Sequence, residues 1–359
     1  MTRPDTLPRA VHALVEAGRA APSADNSQPI GFHWNGHSLA LVHRGGGGFR
    51  ADAHATRLTT GAVLENLAQA AEALELAVEF SLNEDPEVPV EVALPSAPDN
   101  GLLDHGHPLF SRHTNRLPTQ NAPLGDDLRE RLQDLSMGEC RVLLLTDPQA
   151  IDTVAEAIRL ASAIRFRVQA THEMLAASLR FAPQEVDRGD GLDVRTLGLP
   201  PGGAQLLRWL RPWHRMQRLN RLGLYRLFAL MDRQRIQQAP ALALVVGGGE
   251  VSDSISAGRI MQRFWVAACA AGLAVHPYYA IRDQFERRDG NELPGELLPE
   301  VTELEKQVAA IPGLDAGPVH MVFRLGWPIR QPVPAKRLPL SELLVQRDPD
   351  GGSPLQPGK

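Results

Sequence analysis

The chain has few cysteines, no excess of positive charge and no long apolar run. Only Cys140 and Cys269 are present among 359 residues, and they lie far apart without a CxxC pair or a Cys/His cluster. This pattern argues against a disulfide scaffold and a zinc site, and it is typical of a reducing cytoplasm. We expect both cysteines to be buried small apolar residues.

The charge balance and the lack of long apolar runs limit the possible partners. A formal net charge of −5 provides no global positive field that would recruit nucleic acid. No stretch approaches the roughly 18 uncharged apolar residues of a membrane span, and the N-terminal residues lack an apolar run of signal-peptide length. We therefore expect a soluble cytoplasmic protein, a monomer or homodimer, with neither a nucleic-acid partner nor a membrane span.

Apolar periodicity divides the first hundred residues into helices and strands. Residues 8–21 and 60–76 carry apolar side chains every three to four positions, which predicts two helices. Residues 32–42 alternate around the turn-favouring pair Asn35-Gly36, so a β-hairpin is expected between the helices. The run EVPVEVAL after the second helix is typical of a strand.

A second series of elements follows a turn-rich stretch. Helices are expected over about 124–135, 148–179 and 257–271, with strands at RVLLLT, ALALVVGG and HMVFRLGW. The helices at 60–76 and 257–271 each begin with a small residue and Gly and are rich in Ala. We hypothesise a structural duplication, with an α+β fold built from two related halves.

Residues 187–239 form an insertion in the second half. Its part from Leu206 to Arg235 contains eight arginines and one acid, Asp232, interleaved with Trp and Leu at helical spacing. Such a basic amphipathic segment suits a lid, a subunit contact or an anionic membrane surface. Burial of the apolar face as a lid or subunit contact is the favoured interpretation.

Two loops carry polar groups suited to a phosphorylated heterocycle. In AAPSADNSQP, Pro22 ends a helix, and Ser23, Asn26 and Gln28 present groups that could hydrogen-bond a ring edge or cap the turn. In SRHTNR, two arginines and a threonine form either a phosphate cradle or a solvated basic turn. The predicted cradle residues are Arg112, Thr114 and Arg116.

Other chemistry has weak support. The Gly-rich GGGEVS has Ser252 where a dinucleotide fingerprint needs its third Gly, so a Rossmann site is rejected. His105 and His107 are a pair in a Gly/Pro loop rather than a metal-ligand set, and no metal site is expected.

Four motifs together resemble the FMN-dependent nitroreductase superfamily. APSADNSQP is similar to the family's APSxxNxQPW signature, with Ile30 in place of the aromatic residue, and SRHTNR is similar to its RxSxR element. The helix running into GLAVHPYY resembles the pattern before the flavin N5 loop, and FRLGWPIRQPVPAKRLPLSELL resembles the closing element.

The resemblance implies a set of FMN-binding residues. Pro22, Ser23, Asn26 and Gln28 would address the isoalloxazine, and His276, Pro277 and Tyr278 would line its N5 region. The phosphate would contact Arg112, Thr114 and Arg116 together with Lys336 and Arg337. No catalytic side chain is assigned.

Each of these motifs occurs once, and together they span both halves. The resemblance therefore implies a nitroreductase-like intrachain pseudo-dimer, most like the Acg-type branch, with halves at 1–100 and 101–345 and a disordered tail at 346–359. The implied function is NAD(P)H-linked two-electron reduction of nitroaromatic or quinone-like acceptors. The alternative is an FMN-sequestering protein whose insertion covers the flavin and leaves little or no reductase activity.

Overall fold

The fold combines helices with antiparallel sheets, as the sequence predicts. The computed structural model describes residues 7–45, 48–94, 103–315 and 317–346. The helices of this part of the chain, in order, are α1 (Arg9–Arg19), α2 (His54–Ala73), α3 (Pro108–Ser111), α4 (Asp126–Gln133), α5 (Pro148–Arg165), α6 (Gln169–Ser178), α7 (Pro183–Asp187), α8 (Gly203–Leu210), α9 (Trp213–Asn220), α10 (Leu224–Gln237), α11 (Val251–Ala270), α12 (Ala280–Asp289), α13 (Leu298–Ala309) and α14 (Leu340–Leu343).

Most strands belong to two sheets. The strands are β1 (Ile30–Trp34), β2 (Ser38–His43), β3 (Glu79–Leu82), β4 (Val90–Ala93), β5 (Thr119–Gln120), β6 (Ser136–Met137), β7 (Cys140–Leu145), β8 (Leu179–Arg180), β9 (Leu192–Asp193), β10 (Ala241–Val246), β11 (Ala274–Tyr278), β12 (Val319–Pro328) and β13 (Leu344–Gln346). The predicted hairpin is confirmed as β1 and β2, which pair antiparallel. The predicted helix over 148–179 is instead two helices, α5 and α6, separated by residues 166–168.

The two sheets share one strand order. The first sheet runs β13-β1-β2-β4-β3 and the second β11-β12-β10-β7-β6. In both sheets, a helix follows the second strand of an antiparallel pair. The next two strands of the chain then extend the sheet beside that second strand, and the later of the two lies next to it. Thus β1-β2-β4-β3 corresponds to β7-β10-β12-β11, with α2 and α11 in equivalent positions.

Helices α2 and α11 cross where each has a glycine. A Cβ added to Gly61 would lie 2.1 Å from the carbonyl oxygen of Ile255, and one added to Gly258 would lie 2.3 Å from that of Leu58. The contact is reciprocal, because each glycine lies against the carbonyl group of the residue three positions before the other glycine. Only glycine permits this approach of two helix backbones.

Polar contacts extend the helix pair beyond the crossing. The carboxylate of Glu65, 1% exposed, accepts hydrogen bonds from Arg259 and Arg263 of α11. Beside it, Gln262 Nε2 donates to Asn66 Oδ1 at 2.7 Å. A hydrophobic core that draws on both sheets encloses the two helices.

A buried chain of hydrogen bonds joins α2 to the second sheet. The carbonyl of Gly247 can only accept, so His320 Nε2 donates to it at 2.7 Å, and His320 Nδ1 accepts from His54 Nε2 at 2.9 Å. His54 Nδ1 then accepts from the Tyr279 hydroxyl at 3.0 Å. This order fixes the tautomer of both neutral imidazoles.

The end of the described chain returns to the first sheet. Strand β13 pairs parallel with β1, where Phe32 lies opposite Leu344. Residues that the sequence assigns to the second half thus complete the sheet of the first. The proposed division between residues 100 and 101, and the predicted tail apart from Gln346, lie outside the described residues.

The insertion contains the helices α8, α9 and α10. Pro212 and Gly223 precede α9 and α10. Its aromatic residues pack on α5 and α6 or lie exposed: Phe228 contacts Phe166 edge-on, Trp213 contacts His172, and Trp209 is 48% exposed.

Candidate functional site

The loop after α1 is strained. Asp25, Asn26 and Gln28 have φ angles of 49°, 56° and 49°, in the left-handed region. Asp and Asn tolerate this region through local hydrogen bonds, whereas Gln does so rarely. Such strain costs on the order of 1 to 3 kcal/mol per residue and persists only where the surroundings hold it.

Asn26 holds this loop to two distant segments. Its buried side-chain amide donates to the carbonyl oxygens of Gly189, Gly191 and Lys336 at 3.2, 3.0 and 3.1 Å. Its Oδ1 accepts from Arg337 at 2.5 Å. Asn26 thus ties together the candidate loop, the beginning of the insertion and the C-terminal segment.

Gln28 also joins this loop to the insertion and to the C-terminal segment. Its Nε2 donates to the Gly189 carbonyl at 3.0 Å, and its Oε1 accepts from the Leu338 amide at 2.9 Å. Its own backbone amide donates to Ser23 Oγ at 2.9 Å. Tertiary structure gathers the predicted residues Ser23, Asn26 and Gln28, but both side-chain amides are engaged by this chain's own backbone.

Arg112, which is buried, and Arg337, which is half-buried, have no carboxylate partner among the described residues. Arg112 is 8% exposed, stacks over the Trp265 ring at 4.7 Å and donates to the Ala20 carbonyl. Burial lowers the pKa of Arg112 to about 10; burial, with Arg112 and then Arg19 adding repulsion, lowers the pKa of Arg337 to about 9. The Nε atoms of both guanidinium groups lack a hydrogen-bond partner.

Two cations that repel each other, one buried and one half-buried, suit an anion. Both remain charged at neutral pH, and burying like charges without a counter-ion is costly. A phosphate would supply the missing charge and accept from the guanidinium forks. The two arginines come from different parts of the chain, SRHTNR and the AKR segment at residues 335–337.

The remaining predicted phosphate residues do not join this pair. Lys336 is 54% exposed at its side chain and pairs with Asp187 at 2.5 Å. Thr114, which lies between Arg112 and Arg116 in the sequence, is half-buried. Arg116 donates to the Thr196 carbonyl and interacts instead with Asp25 and Tyr278.

A second polar cluster forms on the second sheet around His276 and Tyr278. His276 lies opposite Arg324 in the pairing of β11 with β12, and its ring centroid is 4.3 Å from that of Tyr278. His276 Nδ1, the Tyr278 hydroxyl and Arg324 Nε have no hydrogen-bond partner, although all three residues are less than 9% exposed. The cluster therefore has free hydrogen-bonding capacity next to the predicted Pro277, which is half-buried.

Charged residues from other parts of the chain alter the pKa values of this cluster. Burial, followed by repulsion from Arg116 and Arg324, lowers the pKa of His276 well below its ordinary value. Burial raises the pKa of the Tyr278 hydroxyl, with Asp232 adding to the effect. Burial also raises the pKa of Asp25, against the opposing attraction of Arg165 and Arg116.

Several residues of these clusters were not predicted from the sequence. Arg324 is the one charged residue in the apolar strand HMVFRLGW, which is a signal for a buried polar role. Arg19, Arg165 and Asp25 carry no comparable signal, because their positions depend on packing between distant segments.

Two small cavities adjoin the strained loop. One is lined by Arg19, Ser23 and Gln28 and the other by Asn26 and Gly189 among others, and each has a volume of about 10 Å³. Pockets for drug-sized ligands and cofactors usually measure about 300 to 1,000 Å³. A planar cofactor beside this loop would require the beginning of the insertion or the C-terminal segment to shift.

Pro22 is buried at the start of the loop. Cys140 is buried as predicted, whereas Cys269 is half-buried. In the ranges that the structure describes, no three His, Cys, Asp or Glu side chains lie together as a metal ion requires. None of the helices in those ranges has the length and hydrophobicity to cross a membrane.

Comparison with known proteins gives distant similarities. No protein-family model matches the chain. An uncharacterized protein of Mycobacterium tuberculosis (strain CDC 1551 / Oshkosh) is 28% identical over 272 residues, a match covering 74% of this chain. The match covers 38% of that relative, so the chain spans well under half of its length.

Three solved structures illustrate the structural similarity. The FMN-dependent nitroreductase NfnB from Mycobacterium smegmatis in complex with NADPH is 17% identical, with a TM-score of 0.38, covering 66% of this chain and 94% of that one. The FMN and NADPH-dependent NfnB from sphigopyxis sp. strain HMH is 16% identical, with a TM-score of 0.34 and coverages of 67% and 97%. A nitroreductase-like family protein from Bacillus cereus is 13% identical, with a TM-score of 0.34 and coverages of 68% and 95%.

Proposed function

We propose that this chain is an FMN-binding oxidoreductase of the nitroreductase type. The observation that carries the proposal is the pair Arg112, which is buried, and Arg337, which is half-buried; neither cation has a carboxylate partner in the described part of the chain. The phosphate of FMN carries about −1.5 to −2 charges at neutral pH, as other phosphomonoesters do. It would neutralise the pair and accept from the unpartnered Nε atoms.

The remaining groups suit a planar ring. Bound FMN would accept a hydride from NAD(P)H and reduce an electron-poor acceptor such as a nitroaromatic or a quinone. His276 Nδ1 and the Tyr278 hydroxyl offer an unpartnered nitrogen and oxygen to a ring edge. Arg116 and Arg324 add positive charge beside them, which favours an electron-rich ligand.

The proposal includes an intrachain pseudo-dimer with one FMN per chain, of the Acg type. The shared strand order and the reciprocal approach of Gly61 and Gly258 support equivalent halves. The candidate residues support a single site, because the strained loop comes from the first half, whereas Arg112 and Arg337 both come after residue 100.

One observation favours a second candidate function, FMN sequestration. Gly189 and Gly191, at the beginning of the insertion, bond the very amides that the resemblance assigns to the isoalloxazine. A flavin held beneath this segment would be shielded from NAD(P)H. The segment Gly189–Gly191, rather than the aromatic residues of α8 to α10, is then the part that covers the site.

Flavin content tests the phosphate assignment. The purified full-length protein, reconstituted with FMN and desalted, should retain about one FMN per chain, measured by fluorescence after heat release. Arg112→Gln with Arg337→Gln should lose most of it, since each charge-assisted bond contributes about 1.5 to 3 kcal/mol. The exposed Arg141→Gln is the matched control. Equal retention in all three proteins would refute the proposal.

Anaerobic reduction separates the two candidates. An oxidoreductase should lose its visible flavin absorbance on addition of NADPH or NADH. A sequestering protein should bleach only with dithionite, a small reductant that needs no stacking geometry. Rapid bleaching by NADPH would exclude sequestration under a closed segment.

A further inference from the structure

The outer surface of the insertion combines arginines with exposed apolar side chains. Residues 194–231 include seven arginines and neither Asp nor Glu, in a chain whose net charge is −5. Half of the large hydrophobic residues most exposed in the described structure lie on this segment: Leu206, Trp209, Leu222, Leu227 and Leu230. Leu222 is 84% exposed and Leu227 54%.

Each helix of the insertion has one side turned to the protein body. Leu210 of α8, Met216 of α9, and Ala229 and Ile236 of α10 are buried. We define the insertion surface as the exposed residues Leu206, Arg208, Trp209, Arg218, Arg221, Leu222, Arg226, Leu227 and Leu230, of which Arg221 and Leu222 lie between α9 and α10.

The side chains of α10 show the arrangement most clearly. Leu227 and Leu230 lie one turn apart on its outer side, with Arg226 beside them. Asp232, the single acid of the helix, instead faces inward, where it accepts from Ser162 and lies 3.7 Å from Arg165. In the described part of the chain, the outward face of α10 therefore carries apolar and positive groups and no carboxylate of that helix.

We propose that the insertion surface docks the protein onto an anionic phospholipid bilayer. Negatively charged headgroups complement the exposed arginines, and the acyl boundary beneath them accepts leucine and tryptophan side chains. Nucleic acid would satisfy the arginines but leave Leu222 and Leu227 in water. The proposal is independent of flavin binding, because none of these residues belongs to the candidate site.

Vesicle flotation of the full-length protein tests this docking. The protein should float with vesicles of phosphatidylcholine containing about one-third phosphatidylglycerol, and remain in solution with phosphatidylcholine alone. Raising the salt concentration should weaken binding, because the charges are screened. Binding that is equal on both vesicle types, or absent from both, would contradict the proposal.

Two double variants separate the apolar and electrostatic contributions. Leu222→Ser with Leu227→Ser should lower the partition coefficient by about tenfold or more, through the lost apolar burial. Arg218→Gln with Arg221→Gln should lower it by about 25-fold, at about fivefold per arginine. Ile329→Ser with Leu298→Ser, which removes exposed apolar residues elsewhere, is the matched control and should bind as the unmodified protein does.

Two further measurements identify a different partner if docking fails. The same proteins are titrated with a double-stranded DNA oligonucleotide and examined for self-association by light scattering. DNA binding without vesicle binding would overturn the proposal, as would a dimer that Leu222→Ser with Leu227→Ser dissociates while vesicle binding is absent. Circular dichroism confirms that every variant is folded.

Discussion

Gly61 and Gly258 lie so close that a Cβ on Gly61 would fall 2.8 Å from the Cα of Gly258. The two residues lie on α2 and α11, which also contact each other through Glu65 with Arg259 and Arg263. The two helix backbones can pack this closely only because both helices have a glycine at the crossing.

Replacing Gly61 by alanine should therefore destabilise the protein strongly. The new Cβ would meet backbone atoms, the Ile255 oxygen at 2.1 Å and the Arg259 nitrogen at 2.8 Å, which cannot rotate away. We expect a loss of about 2 to 4 kcal/mol in the free energy of unfolding, measured by urea denaturation. Gly295→Ala is the control, since nothing lies within 4 Å of its added Cβ. Similar losses in both variants would contradict the close-packing interpretation.

Gly189→Ala should loosen the beginning of the insertion. Its Cβ would lie 2.3 Å from the Arg337 carbonyl oxygen, and its φ is 85°. Gly202→Ala shares a positive φ of 79° but meets no atom within 4 Å, so it isolates the backbone strain from the clash. We expect about 1 kcal/mol of destabilisation for Gly202→Ala and at least twice that for Gly189→Ala. Faster proteolysis near residue 189 in Gly189→Ala alone would locate the effect.

Asn26→Asp should separate the two roles of Asn26. The variant retains an oxygen for Arg337 but loses the donors to Gly189, Gly191 and Lys336. Because carboxylate oxygens would then face carbonyl oxygens, the segment around residue 189 should become protease-sensitive, as followed by mass spectrometry. Asn83→Asp, which removes one exposed amide donor, should leave the cleavage pattern unchanged. Unaltered protection in Asn26→Asp would show that Asn26 does not hold the insertion.

The buried His54 should make stability depend on pH. Burial, with repulsion from Arg282 and His320, lowers its pKa from 6.5 to about 2. Between those values the unfolded chain binds a proton that the folded chain does not, so stability falls as the pH drops below about 6.5. The contribution is about 1.4 kcal/mol per pH unit well below that point and vanishes well above it.

Urea denaturation at several values between about pH 5 and 7 measures this dependence. His54→Gln should reduce the slope of unfolding free energy against pH by about one proton. The control is His37→Gln, the same substitution at an exposed histidine. An unchanged slope in His54→Gln would contradict the assignment of a neutral buried imidazole.

The local sequence was sufficient to predict much of the secondary structure. Periodicity located α1 and α2, and the pair Asn35-Gly36 located the β1–β2 turn, because these depend on neighbouring side chains and backbone preferences. It erred where a break carries a weak signal, as between α5 and α6. The sequence showed that α2 and α11 share a glycine pattern, but it did not show the contact between the two helices that requires these glycines.

For the candidate site, the sequence identified chemical types, while the tertiary structure decided their grouping. SRHTNR contains both Arg112 and Arg116, but the two have different electrostatic neighbours. Arg112 interacts with Arg337, whereas Arg116 interacts with Asp25 and Tyr278. Residue spacing does not determine such pairs, since they depend on how distant segments pack.

The sequence by itself determined which residues could bind a phosphate or a ring edge, and that the insertion would be basic and amphipathic. Only the tertiary structure decided that Asn26 and Gln28 bond Gly189, because the acceptor is a backbone carbonyl, which every residue possesses and no sequence pattern marks. It also decided that Leu222 and Leu227 face outward. Amphipathic spacing predicts an apolar face, but what covers that face depends on the rest of the fold.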